Sequence, residues 1–116
     1  MKPEDTPHGK VAFKFASLLF NGDFDSAYQM FSKSAQAEWS SATLATTYNE
    51  MVEYFQGQVI EVQVITTLED WPDKQPHDIG WTYAAIIGDG DSEAVTVVAC
   101  NEDGRDVVRS IEWGRP

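Results

Sequence analysis

The stretch Leu18-Leu19-Phe20-Asn21-Gly22-Asp23-Phe24-Asp25-Ser26-Ala27-Tyr28 ends one helix and begins another within three residues. Apolar residues recur at helical spacing both before and after it. Asn21-Gly22 supplies a residue that tolerates a left-handed backbone, which commonly ends a helix. Asp23 or Asp25 can then cap the next helix with its carboxylate. The stretch therefore predicts a joint between two consecutive helices.

Toward the amino terminus, Thr6-Pro7 has the pattern of a helix start. A threonine hydroxyl can accept a hydrogen bond from a free backbone amide, and proline suits the first helical position because its missing N–H is not needed there. Residues 1 to 7 are predicted to be a flexible tail, and residues 8 to 116 a single domain. A chain of 116 residues with 42% hydrophobic residues is sufficient for one core.

Beyond the joint, the second helix is predicted to end near Ser32, and residues 33 to 39 to make one helical turn with Trp39 turned inward. Ser40-Ser41 opens a third helix whose apolar stripe reaches Phe55. From Gly57 the apolar period changes from helical to alternating. The predicted strands are residues 58 to 68, 79 to 87, 93 to 101 and 105 to 113. Short glycine-containing turns separate the last three strands, so an antiparallel meander is expected.

Alternation along each strand predicts which side chains share a face. In the first strand, the buried face should carry Ile60, Val62, Val64 and Leu68. In the second and last strands, the faces that line the interior should carry Trp81, Tyr83, Ala85 and Ile87, and Val107, Arg109, Ile111 and Trp113. The opposite face, with Ala84, Ile86, Val98, Cys100 and Val108, is apolar enough to pack against another copy or another protein.

Three helices followed by four antiparallel strands, with Gly22-Asp23-Phe24 at the first joint, resemble the nuclear transport factor 2-like superfamily over residues 8 to 113. The resemblance implies an α+β fold in which three N-terminal helices pack on a curved four-stranded antiparallel sheet and form a cone. In that superfamily the interior of the cone often holds a ligand. Its members include isomerases, dehydratases, cyclases, transport adaptors and toxin-immunity proteins, so the resemblance indicates an architecture and no single activity.

A ligand site inside this cone is predicted from aromatic residues and one cation. Aromatic rings offer broad apolar surfaces with a few hydrogen-bonding tips, and the donor fork of an arginine suits a carboxylate or phosphate. The ligand-binding set is Trp39, Tyr48, Trp81, Tyr83, Arg109 and Trp113. The alternative is that the aromatic residues are plain core and that Arg109 faces outward or pairs with Glu61 or Glu93.

No catalytic residue, metal site or cofactor is predicted from the sequence. His8 borders the predicted tail, and His77 lies in a polar loop where an ordinary imidazole is expected. Asp89 to Glu93 is too short for a calcium loop and is typical of a turn. Cys100 is the one cysteine, so it has no disulfide partner and no second thiolate for zinc.

The net charge of −11 limits the kinds of partner that the chain is expected to bind. Residues 57 to 116 hold four basic and twelve acidic residues, so most of the negative charge lies in the second half. Nucleic acid and anionic membranes would be repelled by this field, whereas a basic protein would be attracted. No apolar run resembles a signal peptide or a membrane span, and a soluble, cytoplasmic protein is expected.

Three functions are consistent with these observations. The first is a non-enzymatic binding domain, homodimeric through its sheet face, whose cone holds a small organic molecule. The second is an acidic immunity or inhibitor protein that neutralises a basic toxin through loops at 69 to 73, 89 to 93 and 102 to 106. The third is an enzyme related to ketosteroid isomerases or polyketide cyclases, which would need an acid or base facing the cone.

Overall fold

The computed structural model describes residues 2–55 and 58–114 and has an α+β fold. A 3-10 helix at Pro3–Asp5, within the segment predicted as a tail, contacts both the first helix and the first strand. The elements are α1 (Pro7–Phe20), α2 (Phe24–Gln29), α3 (Lys33–Glu38), α4 (Ser41–Val52), β1 (Val59–Leu68), β2 (Asp78–Gly88), β3 (Ser92–Glu102) and β4 (Arg105–Trp113). The prediction of three N-terminal helices is therefore wrong in number, because the turn expected at 33 to 39 is a fourth helix.

Local side-chain caps explain where these helices begin. The Thr6 hydroxyl accepts a hydrogen bond from the Gly9 amide at 3.0 Å, and the Asp23 carboxylate accepts one from the Ser26 amide at 3.2 Å. Between α1 and α2, Gly22 has φ of 74°, a left-handed conformation that suits glycine. The joint predicted from this stretch is confirmed.

The link from α2 to α3 is tied to the edge of β4. The Ser32 amide donates to the Val108 carbonyl at 2.8 Å, and the Val108 amide donates to the Met30 carbonyl at 2.8 Å. The Ser32 hydroxyl then caps α3 by accepting from the Ala35 amide at 3.2 Å. A short extended segment thus occupies this edge of the sheet and delivers α3 beside β4.

The sheet has the order β1-β2-β3-β4 and every neighbouring pair is antiparallel, which confirms the predicted meander. Its register shifts at Ile60 and Ile65 in β1, at Ile79 in β2 and at Arg109 in β4, each of which lacks a directly opposed partner. Such extra residues bend a strand and increase its twist. They also reverse the alternation of side chains, so faces cannot be read from the sequence period alone.

Cross-strand register defines the two faces of the sheet, because directly opposed residues lie on the same side. The inner face, packed against the helices, includes the opposed sets Thr82, Val97 and Ile111, and Ala84, Val95 and Trp113. The outer face includes Trp81, Val98 and Ser110, and Tyr83, Thr96 and Glu112.

Several predicted faces are therefore wrong. Trp81 and Tyr83 lie on the outer face, whereas Ile111 and Trp113 lie on the inner face. Ala84 and Ile86 also belong to the inner face. Alternation within one strand does not say which side the helices cover, and the bulge at Arg109 separates that residue from Ile111.

The burial predicted for β1 is also wrong in part. Ile60 is 59% exposed and Leu68 is 42% exposed, whereas Val62 and Val64 are half-buried. The register shifts at Ile60 and Ile65 break the strict alternation on which the prediction depended. The edge strand therefore presents apolar side chains to solvent.

The space between the helices and the inner face is filled by large side chains. The five largest residues with less than 2% exposure are Phe15, Phe31, Leu19, Leu44 and Ile86. At one end α1 approaches β2 so closely that a Cβ on Gly80 would overlap the His8 ring. Protein side chains thus occupy the region in which the sequence predicts a ligand.

Candidate functional site

The six residues predicted to bind a ligand fall into two groups on opposite sides of the sheet. Trp39, Tyr48 and Trp113 pack against the core on the helical side. Trp81 and Tyr83 lie on the outer face, where Arg109 lines a cleft together with Trp81. Of the residues on the outer face, Trp81 and Arg109 line the same cleft. Tyr83 lies on the same face of the sheet but does not line that cleft.

The helical-side group belongs to an aromatic cluster. The Trp39 ring stacks on Phe31 with centroids 6.3 Å apart and meets Trp113 edge-on at 6.2 Å. Tyr48 is 5% exposed, its ring lies 5.9 Å from that of Phe24, and burial raises the pKa of its phenol. These contacts support the alternative that this group is core.

Arg109 is held by a two-pronged ion pair with Asp78. Its Nε donates to Asp78 Oδ1 at 2.6 Å, and its Nη2 donates to Oδ2 at 2.8 Å. The Asp78 side chain is 0% exposed and that of Arg109 is 22% exposed. The hydrogen bond with Asp78 raises the pKa of the guanidinium, against the opposing effect of burial. The alternative of a salt-bridged Arg109 is thus correct, but its partner is Asp78 rather than Glu61 or Glu93.

Two register shifts on either side of β3 bring this pair together. Cys100 of β3 is opposed by Asp78 on one side, and Ala99 is opposed by Val108 on the other. Arg109 is the extra residue of β4, and Ile79 is the extra residue of β2. Because both shifts occur at the same level of β3, the two side chains meet across that strand.

Backbone contacts hold the carboxylate in place. Asp78 Oδ2 also accepts a hydrogen bond from the Gln75 amide at 2.9 Å, and the Asp78 amide donates to the Gln75 carbonyl at 3.0 Å. Asp78 therefore closes the loop that precedes β2 as well as pairing with Arg109. A buried carboxylate with three acceptor contacts is well compensated for the loss of water.

Arg109 separates two surface clefts. One cleft, of about 410 Å³, lies between the loop before β2 and the start of α3 and is lined by Ser32, His77, Cys100 and Glu102 among others. The other, of about 260 Å³, lies on the outer face beside Trp71, Trp81 and Glu112. The Arg109 Nη1 makes no hydrogen bond to residues 2–55 or 58–114, so one donor group remains available beside the clefts.

The surroundings of these clefts are acidic. Burial raises the pKa of the Cys100 thiol, and the nearby carboxylates of Asp78 and Glu102 raise it further, although Arg109 acts in the opposite direction. The thiol is therefore uncharged at neutral pH and a poor nucleophile. An anion that approached the free donor of Arg109 would meet the same negative field.

Two of the three acidic loops meet at this end of the molecule. In an antiparallel meander, the segment before β2 and the turn after β3 lie at the same end of the sheet. The loop at 69 to 73 and the turn at 102 to 106 therefore lie at the same end. Glu102 and Asp103 of the turn line the cleft of about 410 Å³, whereas Trp71 and Asp73 of the loop line the cleft of about 260 Å³. The loop at 89 to 93 joins β2 to β3 at the opposite end.

Asp78 was not predicted from the sequence as the partner of Arg109. A signal was present, because Asp78 begins a strand that is otherwise apolar, and a carboxylate in such a place needs a partner. Arg109 is likewise a charged residue that follows two apolar residues, Val107 and Val108, in β4. Asp78 and Arg109 lie in the two strands on either side of β3, so predicting their contact would have required knowledge of the strand register.

No protein-family model matches the chain, and no curated protein matches it significantly. Among the residues that the structure describes, no group of three or more His, Cys, Asp or Glu side chains is arranged to hold a metal ion. In the same residues, no helix is both long and apolar enough to cross a membrane.

Proposed function

We propose that the chain is a non-enzymatic binding domain with the nuclear transport factor 2-like fold, and that it acts as a homodimer through the outer face of its sheet. The observation that carries the proposal is the contrast between a filled interior and an outer face on which Trp81, Tyr83 and Ile87 remain partly exposed. A small molecule inside the cone is less well supported, because large side chains occupy that space. Protein recognition on the outer face is the better supported of the two kinds of binding.

The composition of the outer face supports a protein interface. Trp81, Tyr83 and Ile87 stand half-buried along β2, beside the recessed small residues Ala85 and Ala94. Polar side chains flank this centre, with Gln63 on β1 and Glu112 on β4. An aromatic and apolar centre with a polar rim is the usual anatomy of a protein interface.

A second copy is the favoured occupant because Tyr83, Ala85 and Ile87 at the centre of this face carry no charge, and the cation beside Trp81, Arg109, is already paired with Asp78. A face of this kind can pack on itself around a twofold axis, which is the commonest symmetry of homodimers. The acidic residues at its margins, including Glu61 and Glu112, would then lie at the rim, where solvent screens repulsion between copies.

The oligomeric state in solution tests this proposal. Sedimentation and native mass spectrometry at micromolar concentration should give twice the chain mass of 13.0 kDa. The variant Tyr83→Arg should be a folded monomer, because a charge at the centre of the interface would be buried without a partner. The matched variant Phe13→Arg changes an aromatic residue that is 45% exposed on α1, and should remain a dimer. A monomeric wild-type protein, or a dimer that Tyr83→Arg leaves intact, would contradict the proposal.

The second candidate function is inhibition of a basic protein by the acidic end of the sheet. Its support is that the fold brings the loop at 69 to 73 and the turn at 102 to 106 to the same end, where the turn lines a cleft of about 410 Å³ and the loop a cleft of about 260 Å³. Concentrated negative charge accelerates the approach of a basic partner. The cleft next to Asp78 would receive one of that partner's basic side chains.

A ten-residue polylysine peptide serves as a probe for this second function. Its binding should shift the amide resonances at 69 to 78 and 101 to 106 and should weaken strongly when ionic strength rises from about 0.1 M to about 1 M, which shortens the screening length from about 10 Å to about 3 Å. Asp70→Asn should weaken binding, whereas Asp89→Asn at the other end of the sheet should not. Binding whose affinity does not change with ionic strength, or binding centred on the loop at 89 to 93, would contradict this second function.

A further inference from the structure

A surface groove with an unusual charge lies between α1, α2 and the start of β4. Its volume is about 600 Å³, and Lys10, Lys14 and Arg105 line it. They are three of only eight lysine and arginine residues in a chain of net charge −11. This basic groove is thus a local concentration of positive charge on an acidic protein.

The floor of the basic groove is apolar. Val107 is 2% exposed, and the half-buried Val11, Leu18 and Met30 pack against the core while also lining the groove. With a rise of 1.5 Å per residue, Lys10 and Leu18 are about 12 Å apart along α1. The cations of α1 therefore lie toward its amino end, and an apolar surface extends from them toward its carboxyl end.

The three cations have no ionic partners within residues 2–55 and 58–114. The one acidic residue of the groove, Asp106, accepts a hydrogen bond from the Asn101 side-chain amide at 3.3 Å. The first turn of α1 contains no acidic residue, although negative charge is favoured there and Lys10 follows directly. A bound anion would relieve both the mutual repulsion of the cations and their repulsion by the helix dipole.

We propose that the basic groove binds a small amphipathic carboxylate. The acid group lies among Lys10, Lys14 and Arg105, and the apolar part of the ligand covers the floor formed by Val11, Leu18, Met30 and Val107. Charge-assisted hydrogen bonds to lysine and arginine fix the head, and burial of apolar area stabilises the tail. No residue that lines this groove belongs to the proposed dimer interface, so the two proposals are independent.

A small ligand is favoured over an acidic polypeptide for two reasons. The net charge of −11 repels a partner that carries many negative charges, whereas one carboxylate experiences little of that repulsion. The groove volume of about 600 Å³ also lies in the range of about 300 to 1,000 Å³ that is usual for small-molecule sites. The ligand class is thus set by one local cluster of cations on an acidic background.

Dodecanoate below its micelle concentration is a suitable probe. Calorimetry should give one site per chain, and the amide resonances that shift should be those of residues 10 to 18, 29 to 30 and 105 to 107. Dodecyltrimethylammonium has the same apolar tail with the opposite charge, and it should not bind. Equal binding of the two probes, or shifts centred on the outer sheet face, would overturn the proposal.

Charge variants separate this site from general adsorption. Lys14→Gln and Arg105→Gln should each weaken dodecanoate binding by about twofold to fivefold, the range expected for loss of one exposed ionic contact. Lys74→Gln makes the same charge change in the loop before β2 and should have no effect. Asp106→Asn should strengthen binding, because it removes the one negative charge of the groove. An effect of Lys74→Gln equal to that of Lys14→Gln would show that only net charge matters and would also overturn the proposal.

Discussion

The two faces of the sheet are formed by the same strands but differ in burial and in charge. The inner face is covered by helices, and side chains there, such as Ile86 and Val97, are 0% exposed. The outer face combines small recessed residues with half-buried aromatic rings and the Asp78–Arg109 pair. The inner face stabilises the fold through apolar burial, whereas the outer face retains charge and partial exposure that stability alone does not require. The difference separates the covered core face from the partly exposed face that we propose as an interface, and four experiments bear on it.

The largest effect is expected from Phe15→Ala. Phe15 is 0% exposed and its ring lies 5.4 Å from that of Phe31, so the variant should lose about 3 to 5 kcal/mol of unfolding free energy. Phe13→Ala, two residues earlier on α1, removes a ring that is 45% exposed and should cost less than about 1 kcal/mol. Urea unfolding measures both, and equal losses would mean that α1 does not present this face to the sheet.

The next effect concerns the charged pair of the outer side. Arg109→Ala leaves the buried Asp78 carboxylate with only the Gln75 amide, and should lower the unfolding free energy by about 2 to 3 kcal/mol. Lys33→Ala removes a pair with Asp103 at 3.4 Å whose side chains are 82% and 77% exposed, and should have no measurable effect. If Arg109→Ala also left the stability unchanged in thermal unfolding, the Asp78–Arg109 pair would be no more stabilising than the exposed Lys33–Asp103 pair, which would contradict the prediction.

A smaller effect, of opposite sign, is expected at Thr82 on the inner face. Its side chain is 0% exposed, and its hydroxyl has no hydrogen-bond partner among the described residues. Thr82→Val should therefore stabilise the protein by about 1 kcal/mol, since an unsatisfied buried hydroxyl is removed. Thr96→Val on the outer face, at 5% exposure, should change stability by less than about 0.5 kcal/mol. Destabilisation by Thr82→Val in chemical unfolding would show that the inner face holds a polar partner for the hydroxyl.

The smallest effect is a pH dependence from His8, which is 4% exposed against Gly80. Burial lowers the pKa of His8 below its ordinary value of 6.5, and the negative charge of Glu69 partly offsets this. Because the folded protein then binds the proton less tightly than the unfolded chain, stability should fall as pH drops below 6.5 and through the folded-state pKa, with no contribution above 6.5. The difference in unfolding free energy between wild type and His8→Gln, measured across this range, isolates the histidine. A difference that does not vary with pH would contradict the prediction.

The joint at Asn21-Gly22 and the α1 start at Thr6 were predictable because they depend on contacts between residues three or four apart. The strands were also predictable from their period, within one or two residues at each end. The partner of Arg109 was not predictable, because Asp78 lies 31 residues away and reaches it only through two register shifts. The outer placement of Trp81 and Tyr83 was not predicted for a related reason. Alternation shows which residues of a strand share a face, but it does not show which face the helices cover.

The sequence by itself determined the joint between α1 and α2, the order of the strands, their boundaries to within one or two residues, and the negative charge, because caps, turns and periodicity act over a few residues. Only the tertiary structure decided which face was covered, which charges paired and where Lys10, Lys14 and Arg105 came together. Strand register and helix docking depend on burial summed over segments far apart in the chain. A single extra residue such as Arg109 can therefore redirect a side chain without leaving a signal in the local sequence.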